Sequence, residues 1–515
     1  MRKLFQNFTF KSCRPLLVLT MTLCFSIYAQ APSSGRLPKI GDGNELGLIQ
    51  ERRIGEMVVR SIYRDPDYLD DPVLMDYVQD FWTQLRQAAR VRGEITTEID
   101  ERFAWEVMLI RDKSINAFAL PGGFMGVNLG LIASVSTGDE LASVMAHELS
   151  HVTQRHIARM FSQQERNSPL LMGAILLGLL AMGRAPEAAS ALIVGGQAVG
   201  VQTQLNFSRD MEREADRVGY GVLTQAGYEP RGFVGMFEKL QAAARFNDRG
   251  NYPYLRSHPL TTERISDMQA RLQLLPEHAL SAPAYIHAMM AARAKVLANT
   301  QFDALKNFQE EVIALNVQTT VTKRVSTLYA GALAESLHNN ATAAQRHIEA
   351  LRQIKELDNQ SKYVLQLLDA EVKIKSAQFT QAVALIQPLS DSRAKQLMLA
   401  QARLGTQQKH IIKESVDDLV MWLANHPRDA GAWSWLSQAT KLQGDELRSV
   451  RSDAESRAFQ YDEIGAIDRL KAAQDLSRKM SREGKLDRSG QIESAIIDSR
   501  LRELEVARKE LLLQK

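Results

Sequence analysis

The chain has almost no cysteine: two in 515 residues, Cys13 and Cys24. Both fall in a stretch that reads as an export signal. Arg2, Lys3, Lys11 and Arg14 precede or flank an apolar run from Pro15 to Ile27, and Ala29-Gln30-Ala31 supplies a small-residue cleavage site. Removal of residues 1–31 would leave a mature chain without thiols. That excludes disulfide stapling and cysteine-protease chemistry, and leaves packing alone to hold the fold. The bulky Leu23 before Cys24 argues against a lipid-modified terminus. The apolar run is also shorter than the roughly 20 residues a membrane span needs. Charge of one sign is lacking too: Lys+Arg 63 against Asp+Glu 60 gives a net +3, with no basic stripe to suggest nucleic acid as a partner. Aromatics are scarce at 7%, and no Gly-x-Ser-x-Gly elbow points to a serine hydrolase.

What stands out against this background is Val144-Met145-Ala146-His147-Glu148-Leu149-Ser150-His151-Val152. His147 and His151 lie one turn apart on the same face of a helix, so both imidazoles can reach one metal ion. Neutral imidazoles suit Zn²⁺, and two of them leave room for a third ligand and a water. Glu148 beside them is placed to take a proton from that water, which points to hydrolysis of a peptide bond. Leu141, Val144, Met145, Leu149 and Val152 form an apolar stripe, so the helix is expected to be buried. Buried histidines need partners, and a metal supplies one.

Upstream, an amphipathic helix is expected from near Leu46 past Val59. A second follows Asp71-Pro72, with Leu74, Tyr77, Val78, Phe81 and Leu85 on one face. Phe103 to Ile110 reads as a strand, and Asn116 to Met125 as strand, Gly-rich turn and strand. Such a strand edge beside the metal helix could pair with an extended substrate, or could be an ordinary core hairpin. Thr137 opens the metal helix. Downstream, the uncharged stretches Pro169–Gly183 and Ala188–Phe207 read as buried or partner-facing helices rather than spans. The other reading is a hairpin over the site that makes peripheral membrane contact.

In Ser208-Arg209-Asp210-Met211-Glu212-Arg213-Glu214-Ala215-Asp216-Arg217-Val218-Gly219, Glu212 and Asp216 share a helical face. Glu212 is a candidate third metal ligand and Asp216 a carboxylate that orients a ligand histidine, with Glu214 pointing elsewhere. Taken alone, the segment would be a salt-bridged surface helix, because Arg209, Arg213 and Arg217 share the spacing. The want of a third ligand upstream tips the reading toward the metal.

The motifs His147-Glu-Leu-Ser-His151-Val-Thr-Gln-Arg-His156, Ser208-Arg-x-x-Glu212-x-Glu-Ala-Asp216-Arg-x-Gly219, and Ser257-His258-Pro259 with Glu263-Arg264-Ile265 resemble those of the M48 zinc metallopeptidases. The resemblance covers residues 44–275 and implies a mainly α fold: a zincin-like metallopeptidase domain with a small β-sheet. It implies one Zn²⁺ per chain, held by His147, His151 and Glu212, with Glu148 and Asp216 in the catalytic machinery. His258 belongs to the resemblance as well. It could fill the fourth zinc position and hold the enzyme latent, stabilise the oxyanion, or only cap the following helix.

From Pro283 to Lys515 helix follows helix. Tyr329 and Tyr363, and Leu333 and Leu367, recur at the 34-residue spacing of tetratricopeptide repeats, and Pro427-x-Asp429-x-x-x-Trp433-x-x-Leu436 with Gly444 fits one unit. Residues 283–515 are thus expected to form an α-helical tetratricopeptide-repeat solenoid that binds peptides or partners, with Ile492 to Leu513 as a capping helix. With the leader, this half resembles the soluble periplasmic members of the family. That implies a periplasmic endopeptidase with a chaperone role, acting on unfolded or misassembled outer-membrane proteins beside the outer-membrane β-barrel assembly machinery. The rival reading is a chaperone or scaffold with little peptidase activity.

Overall fold

The structure, a computed structural model, describes residues 46–162, 208–245, 254–273 and 285–512. The expected leader, both cysteines and the apolar stretches Pro169–Gly183 and Ala188–Phe207 lie outside the described residues, as does the expected boundary between residues 275 and 283.

Helix α1 (Leu48–Arg64) leads through the two-residue strand β1 (Tyr68–Leu69) into α2 (Pro72–Val91). Asp71 caps α2 by accepting from Leu74 N, with Pro72 at the first helical position. The periodic face Leu74, Tyr77, Val78, Phe81, Leu85 is buried, together with Trp82. After α3 (Thr97–Arg102) come β2 (Glu106–Ile110), β3 (Ala117–Leu120) and β4 (Phe124–Asn128), then the short α4 (Leu129–Ser134). The strand expected from Phe103 starts only at Glu106, because Trp105 takes φ 54° and breaks the extended run. Two indoles hold it there: Trp105 Nε1 donates to Asp100 O at 3.0 Å, and Trp82 Nε1 donates to Trp105 O at 3.1 Å.

The sheet order is β1-β2-β4-β3. β2 and β4 run parallel, while β3 folds back antiparallel on β4 with Leu120 opposite Phe124. The reversal between them needs Gly122 and Gly123, both at positive φ; a Cβ on Gly122 would lie 2.4 Å from Arg52 Cα. β3 is therefore an edge strand, and its free side faces α5 (Gly138–Thr153). Thr137 caps α5 through Glu140 N. Past the cap, α5 is buried on every side from Leu141 to Thr153, as a helix at the centre of a domain must be. α6 (His156–Ser162) follows after Arg155 at φ 54°.

Helices α7 (Arg209–Gln225) and α8 (Arg231–Arg245) pack on α5, followed by the one-turn α9 (Tyr254–Ser257) and α10 (Thr262–Gln273). The remaining described residues are mainly helical: α11 (Tyr285–Leu297), α12 (Phe302–Ile313), α13 (Val321–Leu337), α14 (Ala341–Arg352), α15 (Asn359–Lys375) and α16 (Phe379–Ile386). Then come α17 (Arg393–Gly405), α18 (Lys409–Asn425), α19 (Ala430–Gln443), α20 (Glu446–Phe459), α21 (Glu463–Arg482) and α22 (Arg488–Leu512). From α15 onward each helix packs on the next. Asp429 caps α19 and Gly444 ends it at φ 85°. α22 starts before the expected Ile492, because Asp487 Oδ1 accepts from Gly490 N.

One apolar core runs from Val73 on α2 through the sheet and α5 to Ala402 on α17. Polar clamps join the same elements. Tyr77 Oη lies 2.7 Å from His287 Nδ1, and His287 Nε2 is 3.0 Å from Val135 O. Since the carbonyl only accepts, His287 carries its proton on Nε2 and Tyr77 donates to Nδ1. Arg393 reaches both Asp70 and Asp429. Among the described residues no helix is long and apolar enough to cross a membrane.

Candidate metal centre

α5 presents His147, Glu148 and His151 as its local geometry dictates, all at most 2% exposed. α7 crosses α5 closely and brings in the second group. Ser208 caps α7 by accepting from Met211 N at 3.2 Å. Glu212, Asp216 and Gly219 then share the face turned to α5. A Cβ on Gly219 would sit 3.1 Å from both Ala146 O and His147 N, so glycine is what permits the approach that brings Glu212 to the histidines. Gly232 does the same at the other end of α5, where a Cβ would meet Asp139 O at 2.3 Å.

His147, His151, Glu212 and His258 converge, with one ligand atom from each within 4.8 Å of the others. His147 Nε2 is 3.0 Å from His151 Nε2, and Glu212 carboxylate oxygens lie 3.5 Å from each of these nitrogens. His258 Nδ1 is 2.9 Å from Glu212 Oε1 and 3.4 Å from His147 Nε2. Tyr254, itself buried, stacks on the His258 ring at 4.6 Å. Asp216 Oδ1 stands 3.0 Å from His147 Nδ1, behind the ring as seen from the cluster. Glu214 points the other way, toward His156 and Arg159.

Glu148 is split in function between its two oxygens. Oε2 accepts from Ala119 N on β3 at 3.0 Å. No hydrogen bond reaches Oε1, which is buried; His258 Nε2 lies 3.4 Å away.

The residue the sequence did not reveal is Arg264. It is 3% exposed, holds Asp216 in two bonds of 2.6 and 2.8 Å, and reaches Glu212 Oε2 at 2.6 Å. Its NH1 also donates to Pro259 O at 2.9 Å, which pins the loop carrying His258. The helix that follows is capped by Thr261, whose Oγ1 accepts from Arg264 N. Only the Glu263-Arg264-Ile265 triplet hinted at any of this, and nothing in its spacing distinguishes a buried arginine from an exposed one.

Electrostatics favour a cation here. Three carboxylates, Glu148, Glu212 and Asp216, are buried together, which is costly without positive charge. Arg264 compensates two of them. Burial opposes the charged form of Glu212 and of Asp216, yet the side chains around them win. His258 and His147 hold Glu212 well below the usual carboxylate range, and Arg264 lowers Asp216. At His147 burial also opposes charge, but Asp216 and Glu212 outweigh it and raise the imidazole to about 9. Burial pushes His151 far down, toward the neutral form that binds metal. Three imidazoles and one carboxylate within a single ion's reach, beside an unpartnered carboxylate oxygen, fit a divalent metal ion.

Residues 85–272 match the model of peptidase family M48. A protein from Vibrio cholerae named putative beta-barrel assembly-enhancing protease is 35% identical over 264 residues, which is 51% of this chain and 52% of that one. The chain thus spans about half the length of that relative. A beta-barrel assembly-enhancing protease from Yersinia pestis is 29% identical over 438 residues, covering 83% of this chain and 85% of its own. A mitochondrial metalloendopeptidase, OMA1, from Arabidopsis thaliana is 30% identical over 200 residues, 39% of this chain and 38% of its own.

Proposed function

The chain carries a peptidase family M48 domain, and on that premise we propose that it is a zinc-dependent endopeptidase of the periplasm that acts in outer-membrane β-barrel protein assembly and degrades misassembled outer-membrane proteins. The observation that carries the peptidase reading is Glu148: fully buried, fixed through Oε2 by Ala119 N, with Oε1 accepting no hydrogen bond beside the metal group. His147, His151 and Glu212 would hold the ion. When bound, Zn²⁺ polarises a carbonyl and lowers the pKa of its water to about 7. Glu148 takes the proton of the attacking water at Oε1 and delivers it to the departing amine. Asp216 fixes the His147 ring, and Arg264 fixes Asp216 and Glu212. An extended peptide would pair by main-chain hydrogen bonds with the edge of β3 turned away from β4, beside Ala119 N, which Glu148 Oε2 already holds.

The compartment rests on the export-signal pattern of residues 1–31, and the reading of clients draws on the names of the Vibrio and Yersinia relatives. It also draws on the stacked helices after residue 285, read as tetratricopeptide-like repeats that bind partners. The test is direct. The purified protein should contain about one zinc per chain and cleave an unfolded polypeptide; chelation should stop cleavage, and one equivalent of zinc should restore it. Cleavage that survives complete metal removal ends the proposal.

For His258 the geometry favours latency over oxyanion stabilisation. Its ring lies within bonding reach of both Glu212 and His147 and abuts Glu148 Oε1, where an attacking water would have to sit. His258→Ala should therefore raise basal cleavage of an unfolded substrate. A large fall in kcat would instead assign it to the oxyanion.

A further inference from the structure

His156 ends the motif that begins at His147. It is completely buried, on the first residue of α6. Arg155, at φ 54°, turns the chain so that the His156 ring meets the outer side of His151, with centroids 4.8 Å apart and planes at 75°. The contact is Nδ1 to Nδ1 at 2.8 Å. On its far side, His156 Nε2 is 3.1 Å from Glu214 Oε2, and Arg159 NH1 holds the same oxygen at 2.9 Å.

The proton positions follow from the partners. A carboxylate only accepts, so His156 Nε2 carries a proton and donates it to Glu214. Neutral His156 then has a bare Nδ1, which can only accept. The single proton between the two Nδ1 atoms therefore belongs to His151. A His151 ring protonated on Nδ1 has a bare Nε2, and Nε2 is the atom turned toward His147 and Glu212. We propose that His156, oriented by Glu214, is a positioning residue that fixes the tautomer and ring angle of His151 so that its Nε2 lone pair faces the metal. The inference rests on the metal reading above. The two ligands on α5 would then be oriented by different means: His147 by Asp216 directly, His151 by an imidazole that relays a carboxylate. It also assigns Glu214 a task, although it is no ligand. Outer partners of this kind typically govern metal affinity by about 10–100-fold.

The test is zinc affinity, measured by competition with a chromophoric chelator, on full-length His156→Phe, His156→Asn and Glu214→Leu. His156→Phe keeps a ring in the space but cannot accept; it should bind zinc about 10–100-fold more weakly, with the metal-free unfolding midpoint near that of the parent protein. Asn places an oxygen where Nδ1 was, so His156→Asn should recover most of the loss. The cobalt-substituted absorption spectrum should shift in His156→Phe and return in His156→Asn. Parental affinity in a folded His156→Phe, or His156→Asn as weak as His156→Phe, overturns the proposal. If His156→Phe does not fold, the part-exposed Glu214→Leu, which removes the acceptor of His156 Nε2, decides: a several-fold loss supports the relay, and no change overturns it. A parent protein that binds no zinc would overturn the metal reading itself, a result distinct from equal affinities across the variants.

Discussion

Glu148→Gln should abolish peptide hydrolysis while the protein stays folded and keeps its metal. The substitution is nearly isosteric, and the amide oxygen can still accept from Ala119 N as Oε2 does now. What disappears is the basic oxygen. Oε1 has no hydrogen-bond partner, and an amide nitrogen in its place has no lone pair to accept a proton. Loss of a general base costs about 10²–10⁴-fold, and the loss should appear in kcat and kcat/KM alike, because the interaction is made in the transition state. None of the atoms that would hold the metal belongs to Glu148, so zinc content should match the parent. The removal of one buried negative charge from a crowded group should, if anything, leave the fold as stable as before. A zinc-replete, folded Glu148→Gln protein with parental turnover would show that the proton is taken elsewhere, and the assignment of Glu148 would fall.

The parts of this site that a reader of the sequence can see are those written in local periodicity. His147 and His151 share a face because they are one turn apart, and Glu212 and Asp216 likewise. Asp71 and Thr137 announce helix starts, and each caps its helix by accepting from a backbone N–H three residues on. What stays hidden depends on contacts between residues far apart in the chain. Ala119 meets Glu148 because β3 is the outer strand of its sheet, and strand order is not a local property. Arg264 looks like any surface arginine until α10 is seen to lie against α7. Trp105 adopts a left-handed backbone only because Trp82 and Asp100 are there to hold its carbonyl and indole. Gly219 is the intermediate case: a glycine inside a helix is a visible anomaly, but the backbone of Ala146 and His147 that explains it comes from another helix.

Long-range contact also decides the stability of the whole, and Arg293 carries the sharpest expectation. On α11, it is 3% exposed and grips Asp71 with two bonds of 2.8 and 2.6 Å, while NH1 reaches Glu371 on α15 at 2.7 Å. Asp71 is at the same time the cap of α2. One guanidinium thus ties the helix that backs the sheet to two helices of the C-terminal region. Burial alone would drive the charge off Arg293, but the charges of Asp71 and Glu371 prevail and hold it protonated. Arg293→Met preserves the length and apolar stem but leaves Asp71 buried without its cation. Breaking a buried pair in this way costs about 3–5 kcal/mol, and the equilibrium urea midpoint should fall accordingly. Glu371 contributes less to that loss, since its side chain is 29% exposed and can be resolvated. The source of the penalty can be isolated by adding Asp71→Asn. Asparagine still caps a helix but leaves no orphaned charge, so the double variant should regain a substantial part of what Arg293→Met lost. An Arg293→Met protein within about 1 kcal/mol of the parent, the range of an exposed ion pair, would mean that the apolar core from Val73 to Ala402 joins these helices without the clamp.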